Sequence, residues 1–102
     1  MDEKILNLTK LVEYQKSSTV SRILFDKKTG KLTVFAFDEG QSLSEHTSLY
    51  DAIVQVLEGK VEIQIAKKPF RLEAGEMIHM PANQPHSLRA LSRFKMLLIL
   101  IR

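Results

Sequence analysis

The sequence predicts an all-β sandwich or barrel, and three observations carry that prediction. Apolar and polar residues alternate with period two over several short runs, VEIQI at 61–65 being the cleanest. Turn-forming residues recur about every eight to twelve positions, and helical periodicity is almost absent. These features give about eight to ten short strands, a set that suits a closed architecture because closure removes unpaired edges.

The chain opens with an extended piece near Ile5 to Leu8, and Thr9 stands in an N-cap position before KLVEYQ, one or two helical turns at most. Residues 1–19 are thus predicted as an N-terminal extension. From Val20 the period changes: VSRILFD (20–26) places Ile23 and Phe25 on one face against Arg22 and Asp26. KKTG makes a turn in which Gly30 can take positive φ, and KLTVFAF (31–37) returns as the hairpin partner. Residues 38–44 read as a loop. The next strand runs from about Tyr50 to Glu58, turns at Glu58-Gly59-Lys60 and returns as VEIQI, with Val61, Ile63 and Ile65 inward. AKKP turns the chain again, and Pro69, with no N–H to give a ladder, marks an edge or a strand start. FRL leads through EAGE into MIHM; Pro81 stops that strand and Pro85 sets up His86 at the start of another. FKMLLILI (94–101) is apolar at every position from Met96, as in a strand covered on both faces.

At 102 residues the chain is predicted to be a single domain spanning 1–102. It has no cysteine, which excludes disulfides and thiol nucleophiles. No apolar run is long enough to span a bilayer, and MDEKILNL lacks the plan of a signal peptide, so a cytoplasmic protein without a membrane partner is expected. The net charge is +3, but the basic doublets Lys27-Lys28 and Lys67-Lys68 fall in predicted turns. No aromatic-interleaved basic stripe accompanies them, so nucleic acid is not an expected partner. Nothing matches a nucleophilic triad or a phosphate loop, and no catalytic residue is assigned.

Two stretches organise the remaining chemistry: EHTSLYDAIVQVLEG from Glu45 to Gly59, and GEMIHMPANQPH from Gly75 to His86. Their spacing resembles the paired motifs of the cupins, small jelly-roll barrels, over roughly Val20 to Ile101. The first motif's slots for glycine, histidine, histidine, glutamate and glycine hold Gly40, His46, Ser48, Ala52 and Gly59. The second motif's slots for glycine, proline, glycine, histidine and asparagine hold Gly75, Pro81, Asn83, His86 and Ala90. The resemblance implies a double-stranded β-helix in which both histidines lie at one open end of the barrel. It also implies that His46 and His86 are two of four ligands for a weakly held divalent ion, nickel, zinc, manganese or iron, because imidazole suits these metals. Ser48 and Ala52 stand where the other two ligands would be.

Asp51 and Glu45 neighbour slot residues, so strand alternation turns both away from the site, and Gln55 falls on the outer face. His79 reads as a packing or hydrogen-bonding residue on the face opposite Ile78 and Met80. Phe35, Phe37, Val54, Val56, Ile78, Met80, Leu88, Met96 and Leu98 are the candidate cavity walls. Three functions stay open: a metal-binding cupin that binds or acts on a small polar metabolite, a metal-free small-ligand binder or sensor without catalysis, and a scaffold whose barrel serves only assembly. If Ala52, Val54 and Val56 face inward, then Ile53 and Leu57 face out, as do alternate members of Leu97, Ile99 and Ile101. One small barrel has little chain to cover that face, and a homodimer is predicted.

Overall fold

The computed structural model describes residues 4–102. Period-two patterning produces nine strands among them: β1 Thr19–Lys27, β2 Gly30–Phe37, β3 Ser42–Thr47, β4 Asp51–Glu58, β5 Lys60–Ile65, β6 Lys68–Glu73, β7 Met77–Met80, β8 Pro85–Ala90 and β9 Phe94–Ile101. All pairings are antiparallel, in two sheets ordered β1-β2-β9-β4-β7 and β3-β8-β5-β6. The chain is all-β, a jelly-roll barrel, and no helix among the described residues is long and apolar enough to cross a membrane.

Register aligns side chains in rows across the inner face of the five-stranded sheet. Phe37 and Phe94 form the row at one end, stacked with ring centroids 4.7 Å apart, and Val56, Val61 and Ile63 pack with them at 1 % exposure or less. This end is filled. At the other end the row is Lys31, Leu100, Ala52 and Met80, in which a single methyl occupies the centre of β4 and leaves space above it.

Several local readings change on contact with the structure. Gly30 does not take positive φ: it is the first residue of β2, paired with Lys27, and a Cβ there would sit 2.9 Å from the Leu100 carbonyl oxygen. Ile23 and Phe25 do not share a face. Ile23 pairs with Thr33 and Phe25 with the adjacent Leu32, so a bulge at Leu24 reverses the alternation within β1. The loop expected through Ser44 is already strand from Ser42. Pro69 lies in β6, an edge strand, where its missing N–H costs no ladder bond.

The expected helical turns shrink to one 3-10 turn, Leu8–Lys10, with Asn7 rather than Thr9 at the cap position and no side-chain cap bond. The Thr9 hydroxyl instead donates to Asn7 Oδ1 at 3.0 Å. Beyond this turn the chain lies as a strap on the outer face of the five-stranded sheet, where Val12, with Leu11 and Tyr14, packs against Val34, Ala36 and Leu57. Leu57 is therefore covered by the chain itself, and Leu97 is also buried, at 8 % exposure. Of the outward residues expected to need a second copy, Ile53, Ile99 and Ile101 remain.

Polar contacts hold the strap. Lys95 Nζ donates to the Thr9 carbonyl at 2.6 Å and meets Glu58 Oε1 at 3.3 Å, while the Tyr14 hydroxyl donates to the same oxygen at 2.7 Å. Burial and the Glu58 carboxylate together push the Tyr14 hydroxyl pKa well above its ordinary value. Asp38 accepts the Ser17 N–H at 2.7 Å and the Arg93 guanidinium at 2.9 Å, and these two partners hold its carboxyl below the usual range.

Two substitutions test this architecture. Gly59 has φ of +80°, and a Cβ added there would run into the Arg93 carbonyl oxygen and come within 2.7 Å of Phe94 Cα. Gly59→Ala is expected to cost about 2 kcal/mol or more in chemical denaturation, combining left-handed strain with a clash against backbone; an unchanged midpoint would show that the turn relaxes freely. Lys95→Met keeps the apolar stem and removes the donor, and should cost about 1–3 kcal/mol while speeding proteolysis between Leu11 and Ser18. Resistance equal to that of the native chain would remove Lys95 as the strap's anchor.

Candidate functional site

His46 and His86 come together through an irregularity in β3. Leu43 pairs with Leu88 and His46 with His86, so Ser44 and Glu45 together oppose Ser87 alone. Leu43 and His46 are three positions apart and would fall on opposite faces of a regular strand. The extra residue returns both to the inner face. Glu45 stays exposed, as expected.

Each imidazole is oriented by the backbone two residues before it. His46 Nδ1 donates to the Ser44 carbonyl at 2.9 Å, and His86 Nδ1 donates to the Gln84 carbonyl at 3.2 Å. A carbonyl oxygen only accepts, so both Nδ1 atoms carry hydrogen. Both Nε2 lone pairs then face one another, 3.0 Å apart. Two lone pairs at that separation repel unless an electron-poor centre lies between them, either one shared proton or a metal cation. Burial at 6 % exposure holds the His86 pKa below its ordinary value, the Gln84 carbonyl opposes this, and the nearby His46 adds to it.

These nitrogens stand at the polar end of a cavity of about 300 Å³. Thr47 and Ser48 complete that end, while Ala52, Val54, Met80, Leu88, Met96 and Leu98 supply apolar wall. Of the expected wall residues, Phe35, Phe37, Val56 and Ile78 do not line it; Phe37 and Val56 belong to the filled end of the barrel. Leu43, Thr47 and Leu100 line it and were not foreseen. Leu100 continues the inward alternation of Met96 and Leu98, a signal present in the sequence. Leu43 and Thr47 sit in β3, where the bulge conceals the period.

The remaining motif positions keep their backbone roles. Gly40, Gly59 and Gly75 have φ of +84°, +80° and +92°. Asn83, in a glycine slot, has φ of +66°, a conformation that asparagine tolerates better than most side chains. Its N–H donates to the Ser48 carbonyl at 2.7 Å, tying the two motif loops together at the cavity mouth, while Ser48 Oγ accepts the Tyr50 N–H at 3.1 Å.

Other titratable groups lie outside the cavity. His79 Nε2 is 2.8 Å from Asp51 Oδ1, which also accepts the Ala82 N–H at 3.1 Å; His79 hydrogen-bonds on the outer face, as expected for it. These two contacts hold the Asp51 carboxyl below its ordinary value. Gln55 is exposed on the same face. Among the described residues no group of three or more histidine, cysteine, aspartate or glutamate side chains is arranged to hold a metal ion.

The family model described as Cupin domain matches residues 33–101. A conserved protein of unknown function from Streptococcus pyogenes is 37 % identical with a TM-score of 0.93, the match covering 100 % of this chain and 90 % of that one. A cupin 2 conserved barrel domain protein from Leptotrichia buccalis is 40 % identical with a TM-score of 0.92, covering 95 % of this chain and 47 % of that one. A cupin superfamily protein from Desulfitobacterium hafniense is 27 % identical with a TM-score of 0.91, covering 99 % and 93 %. Among curated proteins none matches. The motif frame, the barrel that carries it and the family match agree, and the chain belongs to the cupin family.

Proposed function

We propose that this cupin binds a divalent transition metal through His46 and His86 and holds a small oxygen-bearing metabolite at the mouth of its apolar cavity. The observation that supports this most is the convergence of the two Nε2 lone pairs, 3.0 Å apart, with each Nδ1–H given to a backbone carbonyl. Histidines that ligate metals commonly give the second ring N–H to a carbonyl in this way, which fixes tautomer and orientation. The two nitrogens are also close enough together that one ion would reach both. When bound, such an ion supplies Lewis acidity toward an oxygen of the ligand. The chain's own residues orient that ligand: Ser48 and Thr47 at the rim offer polar contacts, and the leucine and methionine walls exclude water from its apolar side.

The arrangement of only two imidazoles favours a second reading. With no third histidine, cysteine, aspartate or glutamate among the described residues to complete a ligand set, the same pair can work without metal. One shared proton then satisfies the pair at rest, and a small ligand hydrogen-bonds to an Nε2 atom by displacing the contact between the two rings. Titration with nickel, zinc, manganese and iron(II) at pH 7.5 separates the two. Saturable but weak binding is expected in the native chain, lost in His46→Ala and in His86→Ala. Coordination needs neutral imidazoles, so affinity should fall as pH drops through about 6.5, and the lowered pKa of His86 keeps that residue competent further into acid. Binding that survives either substitution, or none in the native chain, transfers the site to the metal-free reading.

The partner proposed for the outer face is a second copy of this chain. Phe25, Leu32, Ile99 and Ile53 form one continuous row across four strands, and Ile101 beside them is 49 % exposed. A two-fold axis lets this row meet itself. Sedimentation should give a dimer mass at micromolar concentration, and Ile53→Lys should convert it to monomer with the barrel intact. A native monomer at that concentration would end this assignment.

A further inference from the structure

The floor of the cavity does not stop at the cavity. On the inner face of the five-stranded sheet the rows continue from β4 through β9 to β2 and β1: Ala52 to Leu100 to Lys31, and Val54 to Leu98 to Thr33 to Ile23. Beyond Leu98 and Leu100 a second hollow of about 250 Å³ opens against Ile23, Thr33, Phe35 and Lys31. Leu98 and Leu100 line both hollows and form the floor that runs from one to the other. Ile23 is 55 % exposed there, an unfilled apolar position on an inward-facing row.

The charges at the far end are Lys31, its cross-strand neighbour Asp26 and Arg102. Asp26 Oδ1 is taken by Arg102 at 2.9 Å, so the described ion pairs leave Lys31 with no carboxylate partner. Neighbouring strands lie about 4.8 Å apart. The step from β4 to β2 across β9 is therefore about 10 Å, the reach of a medium-length alkyl chain.

We infer that the two hollows form one elongated site for an amphipathic carboxylate. Its apolar body lies along Leu98 and Leu100, its anionic head meets Lys31, and its other end reaches the space beneath His46 and His86. This rests on reading the His46–His86 cavity as a ligand site, and it names the chemical class of the ligand. The leucine wall selects for an unbranched or flat apolar body, and Lys31 selects acid over alcohol.

The test is calorimetric titration of the metal-free chain with butyrate, hexanoate, octanoate and 1-octanol. Affinity is expected to rise about fourfold per added methylene, with octanoate bound more tightly than 1-octanol. Lys31→Met should weaken octanoate about 10-fold and leave 1-octanol unchanged. Leu98→Trp, which obstructs the shared floor, should erase the gain with chain length. Lys31 lies at the groove's rim, and its substitution reports independently should the tryptophan variant fold poorly. Equal binding of octanoate and 1-octanol, or octanoate binding untouched by Lys31→Met, overturns the inference. Nickel titration of the same samples keeps the two ideas apart: nickel binding without octanoate binding sinks only the carboxylate site, and octanoate binding without nickel binding sinks only the metal reading.

Discussion

Everything in this barrel depends on β9 lying between β2 and β4. Without it the five-stranded sheet separates into a β1–β2 hairpin and a β4–β7 pair, neither with a second face to bury. The composition of β9 follows from that position. Phe94, Met96, Leu98 and Leu100 supply the inner face, from the filled end to the cavity, while Lys95 and Leu97 are buried on the outer one. A lysine in so apolar a strand is tolerated because its ammonium has two oxygen partners and an aromatic face, Tyr14, 4.8 Å from the ring centre. The strand that completes the sheet thus also anchors the strap across its back.

The site is built on rigid ladders rather than on mobile loops. His86 is held in β8, paired on both sides by β3 and β5, and His46 sits opposite it in the ladder. Their orientation comes from backbone carbonyls, that of Ser44 within β3 and that of Gln84 just ahead of β8. Such a pair is pre-organised, the two rings being set against each other by the backbone alone.

Legibility in the sequence tracked the strength of the local signal. Strands such as VEIQI and FKMLLILI, bounded by glycine or proline turns, declared themselves because alternation and turn chemistry agree. The motif spacing placed His46 and His86 on the same side of the barrel, and the structure brings them to hydrogen-bonding distance. Bulges were illegible. Neither Leu24 nor the Ser44-Glu45 pair differs in kind from an ordinary strand residue, yet each reverses which face its neighbours occupy. Leu11, Val12 and Tyr14 were equally opaque, because LVEY offers a few apolar residues with no period to say that they pack on a sheet. The second hollow escaped for the same reason, since it depends on Ile23 being inward and that depends on the bulge.

The pairing of β2 with β9 joins Gly30 to Ile101 and Phe37 to Phe94, whereas β1–β2 and β5–β6 are hairpins of near neighbours. Long-range closure of this kind makes for slow folding, because the entropy of bringing distant segments together is spent before their contacts form. On a ribosome adding about 5–20 residues per second, β2 waits on the order of several seconds for its partner. Through that interval the edge of β2 and the valines of β4 are open to water and to other chains. This protein is therefore most vulnerable to aggregation during its own synthesis, and a change that leaves the finished barrel stable can still lower its yield by prolonging that wait.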